Sequence, residues 1–102
     1  MPQKVCAMAK LDPAELQRAL DDLPGWTARD NAISRQFVCP SFPDAITFAT
    51  RIAFDAEAAD HHPDLLISYR KVTVTWSTHS EGGVTQKDVA AAKATEAAFR
   101  FS

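Results

Sequence analysis

The chain has 102 residues, of which 46% are hydrophobic and 24% are charged, and its 11 basic against 13 acidic side chains give a formal net charge of −2. A chain of this length can bury a core as one domain, and its slight acidity argues against binding to nucleic acid or to an anionic membrane. The two cysteines, Cys6 and Cys39, fit neither a disulfide framework nor a zinc knuckle, which favours free thiols in a reducing compartment. No secretory signal is evident, and no apolar run approaches the ~20 residues of a membrane span. We therefore expect a cytoplasmic protein.

The first third of the chain predicts a helix followed by a hairpin. Asp12 can cap the helix, and Pro24-Gly25 ends it. Asp30-Asn31 suits the tight turn of the hairpin, because both residues tolerate positive φ. Residues 1–10 carry no clear period, so we expect a loose N-terminal extension before a single domain over residues 11–102.

A longer helix follows, and Ser41 and Asp44 are placed to cap it. It must end at about His61, because Pro63 disfavours helical geometry for the residue before it. Small and apolar residues recur along one face at helical spacing, which indicates close packing on a sheet. They are Ala45, Phe48, Ala49, Ile52, Ala53 and Ala56.

The last part of the chain predicts a second hairpin and a third helix. The hairpin bends near Tyr69 to Lys71, and the alternation of apolar and polar residues up to Trp76 marks a strand with one buried face. Thr85, with Asp88 three residues on, caps the third helix. The order α-β-β-α-β-β-α predicts an α+β fold in which three helices cover one face of a four-stranded antiparallel sheet.

All three histidines lie beside junctions between these elements. His61 and His62 stand directly before Pro63, where a helix must stop and a strand must begin, and His79 follows seventeen residues later. One hypothesis is a metal site, in which Glu57, His61 and His79 form a two-histidine, one-carboxylate set. Against it, adjacent residues diverge by roughly 100° on a helix, whereas metal-binding helices space their ligands by three or four residues.

Proton transfer is the second hypothesis, because histidine is the side chain that titrates near neutrality without help. Glu57, one turn before His61, could hold that ring, and Asp60 is a further nearby carboxylate. Asp88 could cap its helix, accept a hydrogen bond from the histidine site, or do both. The third hypothesis is packing alone, with His62 at a helix C-terminus, where a cation is favoured, and His61 as a surface partner of Glu57.

Two aromatic residues near the histidines are open to similar alternatives. Trp76 shares the face of the buried valines, so we expect it in the core. Tyr69 is open between a core position and a flat wall for a planar ligand. Strand alternation puts His79 on the polar side of its strand, opposite Trp76, unless the strand bends near Ser77.

Together these residues resemble a known family. The segments "AEAADHHPDLLISY" and "KVTVTWSTHSEGGVTQKD" are similar to the pterin-4a-carbinolamine dehydratases, whose pattern is a glutamate, a His-His-Pro turn, a tyrosine, a third histidine and an aspartate. In this chain the pattern falls on Glu57, His61, His62, Pro63, Tyr69, His79 and Asp88. The resemblance covers nearly the whole chain from Leu11 onward.

The resemblance implies the same fold, with sheets that join across a dimer and sometimes a tetramer. It implies a hydro-lyase that removes water from 4a-hydroxytetrahydrobiopterin to give quinonoid dihydropterin. This recycles the tetrahydropterin of the aromatic amino acid hydroxylases, which would be partners in the pathway. The reaction has no redox change, so neither a metal nor another cofactor is expected. The alternative is a non-catalytic dimerisation or assembly module of the same fold, because some relatives assist assembly and one in animals pairs with a homeodomain transcription factor.

The resemblance also implies roles for individual residues. His61 and His79 are expected to be the catalytic acid and base, in either order, and His62 a third catalytic group that mainly positions the substrate. Two turns would line the pterin pocket, with carboxylates in support. The substrate-binding residues are His61, His62, Pro63, Thr78, His79 and Ser80, and the supporting residues are Glu57, Asp60 and Asp88.

Overall fold

Three α-helices and four β-strands alternate in the predicted order in the computed structural model, which describes residues 9–101. Their bounds are α1 (Pro13–Asp21), β1 (Thr27–Arg29), β2 (Ala32–Val38), α2 (Phe42–Ala59), β3 (Asp64–Ser68), β4 (Lys71–Trp76) and α3 (Gln86–Ala98), with a short 3₁₀ turn at His79–Glu81. Most of the expected N-terminal extension, with Cys6, lies outside the described residues. Within the described part, none of the helices has the length and hydropathy of a membrane span.

The four strands form one antiparallel sheet in the order β1-β2-β4-β3. The central pair, β2 and β4, sets Ile33 opposite Trp76 and Phe37 opposite Val72. These four side chains are buried on the face that the helices cover, whereas alternate positions such as Thr73 remain partly exposed on the other face. The fold is therefore the predicted α+β arrangement, with three helices on one face of the sheet.

Both hairpins turn on residues in the left-handed region of backbone conformation. Asp30 and Asn31 have φ angles of 52° and 65°, which confirms the predicted tight turn. Tyr69 has a φ of 57° at the turn between β3 and β4, and its side chain is 85% exposed. A core position for Tyr69 is therefore excluded.

Helix α2 begins as predicted, because the Ser41 hydroxyl accepts a hydrogen bond from the backbone N–H of Asp44 at 3.2 Å. It ends at Ala59 rather than near His61, because Asp60 enters the left-handed region with a φ of 53° and ends the helix there. All but one of the residues predicted for its buried face are buried. The exception is Ala53, which at ~100° per residue falls about 40° outside the arc that the others occupy.

An aromatic cluster fills the space between the sheet and the helices. The ring centroid of Phe37 in β2 lies 4.9 Å from the ring centroid of Phe48 in α2. It lies 4.9 Å from the ring centroid of Phe99, which follows α3. Inclined ring pairs of this kind add to the energy of burial. Cys39 is also buried, and burial together with the nearby charge of Asp44 raises the pKa of its thiol. Cys39 is therefore a protonated core residue with a free thiol.

A partly buried polar cluster fastens the first hairpin to α3. Glu96 accepts hydrogen bonds from the indole N–H of Trp26, at 2.7 Å, and from the guanidinium of Arg35. Arg35 lies over the ring of Phe37, with its guanidinium carbon 4.5 Å from the ring centroid, and it occupies the space that a side chain at Gly25 would need. One carboxylate thus holds two separate segments against the last helix.

The charge of Glu96 should therefore contribute to stability. Glu96→Gln keeps the size of the side chain but weakens the hydrogen bonds from Trp26 and Arg35, so we expect the free energy of unfolding to fall by about 1–2 kcal/mol. Urea denaturation followed by tryptophan fluorescence measures the change. Glu81→Gln makes the same substitution at an exposed position and should change stability by less than about 0.5 kcal/mol. Equal losses in the two variants would contradict this account.

Candidate active site

His61 turns inward from the end of α2. Directly after the left-handed Asp60, the backbone N–H of His61 donates to the carbonyl of Ala56 at 3.1 Å. The ring points to the start of α3, where its Nε2 lies 2.5 Å from Oδ1 of Asp88, and only 11% of the side chain is exposed. The hypothesis that His61 is a surface partner of Glu57 is therefore wrong.

Asp88 is fully buried, and both of its carboxylate oxygens are engaged. Its Oδ2 accepts from the backbone N–H of Thr85 at 2.9 Å and from the hydroxyl of Thr78 at 2.8 Å. Thr85 and Asp88 form the predicted capping box of α3. The Asp88 side chain thus caps α3 and also contacts His61. The sequence analysis leaves both roles open for Asp88.

The protons of this network have one consistent arrangement. The single hydroxyl proton of Thr78 goes to Asp88, so the Thr85 hydroxyl, 2.9 Å away, must donate to Thr78. The same Thr85 oxygen accepts from the backbone N–H of Lys87 at 3.2 Å. A carboxylate can only accept hydrogen bonds, so with Asp88 as a carboxylate the proton between Asp88 and His61 is on Nε2. Nδ1 is then the ring nitrogen that can exchange a proton with a ligand.

The ring of His61 also has an aromatic neighbour. Trp76, the last residue of β4, stacks on it with ring centroids 5.3 Å apart and an angle of 25° between the planes. Trp76 is buried, and its indole N–H donates to the hydroxyl of Thr95 in α3 at 3.1 Å. Trp76 is thus in the core, as predicted, and at the same time borders the histidine.

His62 faces outward. Its Nε2 lies 2.9 Å from Oε1 of Glu57, and both side chains are largely exposed. The helical spacing of the sequence pairs Glu57 with His61 instead, and this prediction is wrong. The left-handed Asp60 takes His61 out of helical spacing, and His62 contacts Glu57 in its place. Solvent screens such an exposed pair, so it holds His62 only loosely.

The pairing of β3 with β4 brings two of the predicted turns together. Asp64 is opposite Thr75 where the ladder of the two strands ends. Beyond the ladder, Asp88 contacts both His61 and Thr78, one from each of the two turns. The His-His-Pro turn and the turn after β4 therefore lie at the same end of the sheet.

His79 lies at this end of the sheet but on the other side of it from His61. It opens the 3₁₀ turn, is exposed, and lines a polar depression of about 490 Å³ together with Asp64 and Thr75. Thr75 alternates with the buried Trp76, so the depression is on the sheet face away from the helices. His61 and His79 thus flank the end of the sheet from opposite faces.

The remaining predicted site residues differ in exposure. Pro63 is half-buried directly before β3, whereas Asp60 and Ser80 are exposed. Thr78 is buried and gives its hydroxyl proton to Asp88. That proton cannot be offered to a ligand while the network around Asp88 is intact.

A cleft of about 290 Å³ opens between α2 and α3, and His61 and Trp76 line part of it. Most of its lining is apolar, with Ala56 on the α2 side and Ala90 and Ala94 on the α3 side. These small side chains leave room between the two helices beside the buried histidine. The cleft therefore gives a ligand of modest size access to His61.

The ligand set of the metal hypothesis is not assembled. Within residues 9–101, no three His, Cys, Asp or Glu side chains converge as ligands for a metal ion. Glu57 and His61 contact different partners, and His79 lines the opposite face of the sheet.

Three residues of the site are not identified as such by the sequence. Thr85 is predicted only as a helix cap and Trp76 only as a core residue, while Thr95 is not singled out at all. For Thr85 a signal exists, because in a capping box the backbone N–H of the cap residue donates to the carboxylate three residues on. For Thr95 no local signal exists, since its contact with Trp76 joins residues that are distant in sequence.

The chain matches the family model described as "Pterin 4 alpha carbinolamine dehydratase" over residues 9–98. It is 53% identical over 79 residues to a protein of Roseiflexus sp. (strain RS-1) and 49% identical over 82 residues to one of Mycobacterium avium (strain 104). Both relatives are provisionally named pterin-4-alpha-carbinolamine dehydratase, and the matches cover 78% and 80% of this chain and 85% and 87% of theirs. The chain therefore belongs to the pterin-4a-carbinolamine dehydratase family.

Two solved structures are similar in fold. The transcriptional coactivator/pterin dehydratase of Brucella melitensis has a TM-score of 0.84 at 40% identity, over 87% of this chain and 97% of that one. A pterin dehydratase-like protein identified as a RuBisCO assembly factor of the alpha-carboxysome has a TM-score of 0.61 at 18% identity, over 76% of this chain and 89% of that one. The second likeness concerns the fold alone. Because the fold hosts different functions, the function must be argued from the site.

The network around Asp88 predicts how His61 responds when the charge is removed. In Asp88→Asn the amide oxygen must face the fixed N–H of Thr85, so the amide NH₂ faces His61 and Nε2 becomes an acceptor. We expect His61 to change to the Nδ1–H tautomer and the free energy of unfolding to fall by about 2–3 kcal/mol. Two-dimensional ¹⁵N–¹H NMR of the histidine rings reports the tautomer, and urea denaturation reports the stability.

Asp64→Asn is the control for this experiment, because it makes the same substitution at an exposed position of β3. It should leave both the tautomer of His61 and the stability within error of the wild type. An unchanged His61 spectrum in folded Asp88→Asn would contradict the proton arrangement described here.

Proposed function

We propose that this protein is a cytoplasmic hydro-lyase that dehydrates a 4a-hydroxytetrahydropterin, such as 4a-hydroxytetrahydrobiopterin, to quinonoid dihydropterin and water. The observation that carries the proposal is the buried pair of His61 and Asp88 beside an apolar cleft. A second histidine–carboxylate pair, His62 and Glu57, at the same helix end supports it. Membership of the dehydratase family supports the class of substrate.

The proposed reaction moves two protons and changes no oxidation state. The C4a–O bond breaks as the hydroxyl takes up a proton and leaves as water. Loss of the proton on N5 lets its electron pair form the C4a=N5 double bond. An acid must therefore stand near the 4a oxygen and a base near N5, and each such group contributes on the order of 10²–10⁴-fold in rate.

His61 suits one of these two roles. Asp88 holds its tautomer and orientation, which leaves Nδ1 for the substrate. The same carboxylate stabilises the imidazolium that forms when the ring takes up a proton, as in other histidine–carboxylate pairs. His79 is proposed for the complementary role, and His62, oriented by Glu57, for positioning the substrate or assisting the acid.

A pterin in contact with both His61 and His79 would sit over the end of the sheet, between the two turns, and would meet the cleft at His61. The exposed His62 and His79 can approach the pterin without disturbing the core, because rotation of their side chains breaks no buried contact. The backbone and side chains of Asp60, Pro63 and Ser80 would border the same space, and Thr78 would act through Asp88. This placement uses both sides of the sheet end and requires no metal ligand.

The proposal predicts that the protein accelerates the decay of freshly generated 4a-hydroxytetrahydropterin, followed by absorbance with a metal chelator present. His61→Ala and His79→Ala should each lower kcat by about 10²-fold, because each removes a proton-transfer group. Circular dichroism should show both variants folded. Lys93→Ala, at an exposed position of α3 away from the cleft, should keep the wild-type rate.

The same assay separates the competing functions. Acceleration that is lost with chelator would point to a metal-dependent reaction and contradict histidine catalysis. No acceleration by folded wild-type protein would overturn the proposal and favour an assembly module. A pterin analogue adds an independent measurement, because a ligand that binds the folded state raises the melting temperature by mass action.

We also propose that the protein works as a homo-oligomer. Strand β3 ends the sheet, so one of its edges carries backbone groups that have no strand partner among residues 9–101. Leu66 on β3 is 66% exposed, and Phe54 on α2 is 74% exposed, with Phe42 and Ile46 exposed on the same helix. These surfaces fit a pairing of two sheets across β3 and a contact between α2 helices.

Self-association can be tested by light scattering coupled to size-exclusion chromatography. The wild type should have a mass that is a multiple of the 11.2 kDa chain. Leu66→Lys places a charge at the proposed sheet junction and should shift the protein to a smaller species. Ala14→Lys, on the exposed surface of α1, should not. A monomeric wild type at micromolar concentration would contradict the proposal.

A further inference from the structure

Trp76 connects His61 to the middle of α3. Its ring stacks on that of His61, and its indole N–H donates to the hydroxyl of Thr95 at 3.1 Å. The Thr95 hydroxyl in turn donates to the carbonyl of Ala91 at 2.8 Å. The hydroxyl thus gives its one proton to the helix and a lone pair to the indole. Both side chains are buried, and both line the cleft beside His61.

Packing alone does not account for this pair of residues. A buried indole N–H costs free energy unless it is hydrogen-bonded, and an aliphatic side chain at position 76 would avoid the need for a partner. Threonine is a weaker helix former than the alanines around Thr95. Trp76 and Thr95 each lower stability in this way, yet they contact each other, and Trp76 also stacks on the buried His61. A local cost of this kind is expected where a side chain serves the site.

The stack restrains a motion of His61 that Asp88 leaves open. The hydrogen bond at Nε2 holds one end of the ring, but the ring can still turn about that bond. Turning changes the direction of Nδ1, the nitrogen left for the ligand. The face of Trp76, inclined by 25° to the imidazole, blocks this rotation from one side. The two contacts together define both the position and the plane of the ring.

We propose that Trp76, held by Thr95, is a positioning residue for His61 that keeps Nδ1 directed at the substrate. The inference rests on the proposed dehydration, in which His61 exchanges a proton. A misdirected ring slows proton transfer without weakening the binding of substrate, since proton transfer depends steeply on geometry. Loss of the stack should therefore lower kcat while leaving KM nearly unchanged.

Two pairs of variants test the proposal. Trp76→Leu removes the stacked ring, whereas Trp76→Phe keeps a ring face without the N–H. Thr95→Val removes the acceptor at equal size, whereas Thr95→Ser keeps it. We expect kcat to fall about tenfold in Trp76→Leu and Thr95→Val, with KM within about twofold of the wild type. Thr95→Ser should recover kcat to within about threefold of the wild type, and Trp76→Phe, which keeps a ring face but loses the hydrogen bond to Thr95, should lie between Trp76→Leu and the wild type.

A spectroscopic measurement tests the stack without any turnover. The ring current of Trp76 should shift the carbon-bound protons of the His61 ring in the NMR spectrum. This shift should disappear in Trp76→Leu and decrease in Thr95→Val, but persist in Thr95→Ser. If Trp76→Leu fails to fold, the Thr95 pair carries the test, because neither change alters the size of the core by more than one methyl group.

The outcomes separate this inference from the proposed function. A wild-type protein without dehydratase activity would overturn the function, and the catalytic part of the inference with it, even if the ring-current shift is present. An active wild type whose folded Trp76→Leu and Thr95→Val variants keep their kcat would overturn the positioning role alone. Equal losses of kcat in Thr95→Val and Thr95→Ser would also overturn it, because the hydroxyl would then be irrelevant.

Discussion

A buried carboxylate at the start of α3 joins the fold to the site. An ion in a protein interior is tolerated only when its hydrogen bonds are satisfied. Asp88 obtains its donors from the backbone N–H of Thr85, the hydroxyl of Thr78 and the ring of His61. These residues belong to the N-terminus of α3, the turn after β4 and the turn after α2. The positive end of the α3 dipole favours the same charge. The hydrogen bonds to this one buried carboxylate therefore hold three segments together.

This constraint explains why the two histidine–carboxylate pairs differ. The sheet provides the coarse alignment, because the pairing of β3 with β4 brings the two turns to one end. Asp88 then holds His61 in a fixed direction inside the protein. His62 and Glu57 face solvent, where rotation costs little and screening is strong. One pair is thus rigid and suited to a defined proton transfer, and the other can adapt to a bound ligand.

The elements were predictable because their signals are local. Asp30-Asn31 must turn, and Thr85 with Asp88 must cap a helix, whatever the rest of the chain does. The end of α2 was predicted two residues late, because proline restricts only the residue before it, while the left-handed turn at Asp60 occurs earlier. The wrong pairing of Glu57 with His61 follows from that error. The contacts of His61 with Asp88 and Trp76 join distant segments, and no local pattern specifies them.

The fold itself does not decide between an enzyme and an assembly factor, since a similar fold occurs in a RuBisCO assembly factor. The polar network is more informative. Capping α3 requires only one carboxylate, which could remain exposed, and apolar packing would be at least as stable as a buried ion with its partners. Asp88 is nevertheless buried, and the hydroxyls of Thr78 and Thr85 take part in the hydrogen-bond network around it. The indole of Trp76 stacks on His61, which Asp88 contacts. These features fix the orientation of an imidazole that lines the cleft, which favours the proposed proton transfer over a role as a scaffold alone.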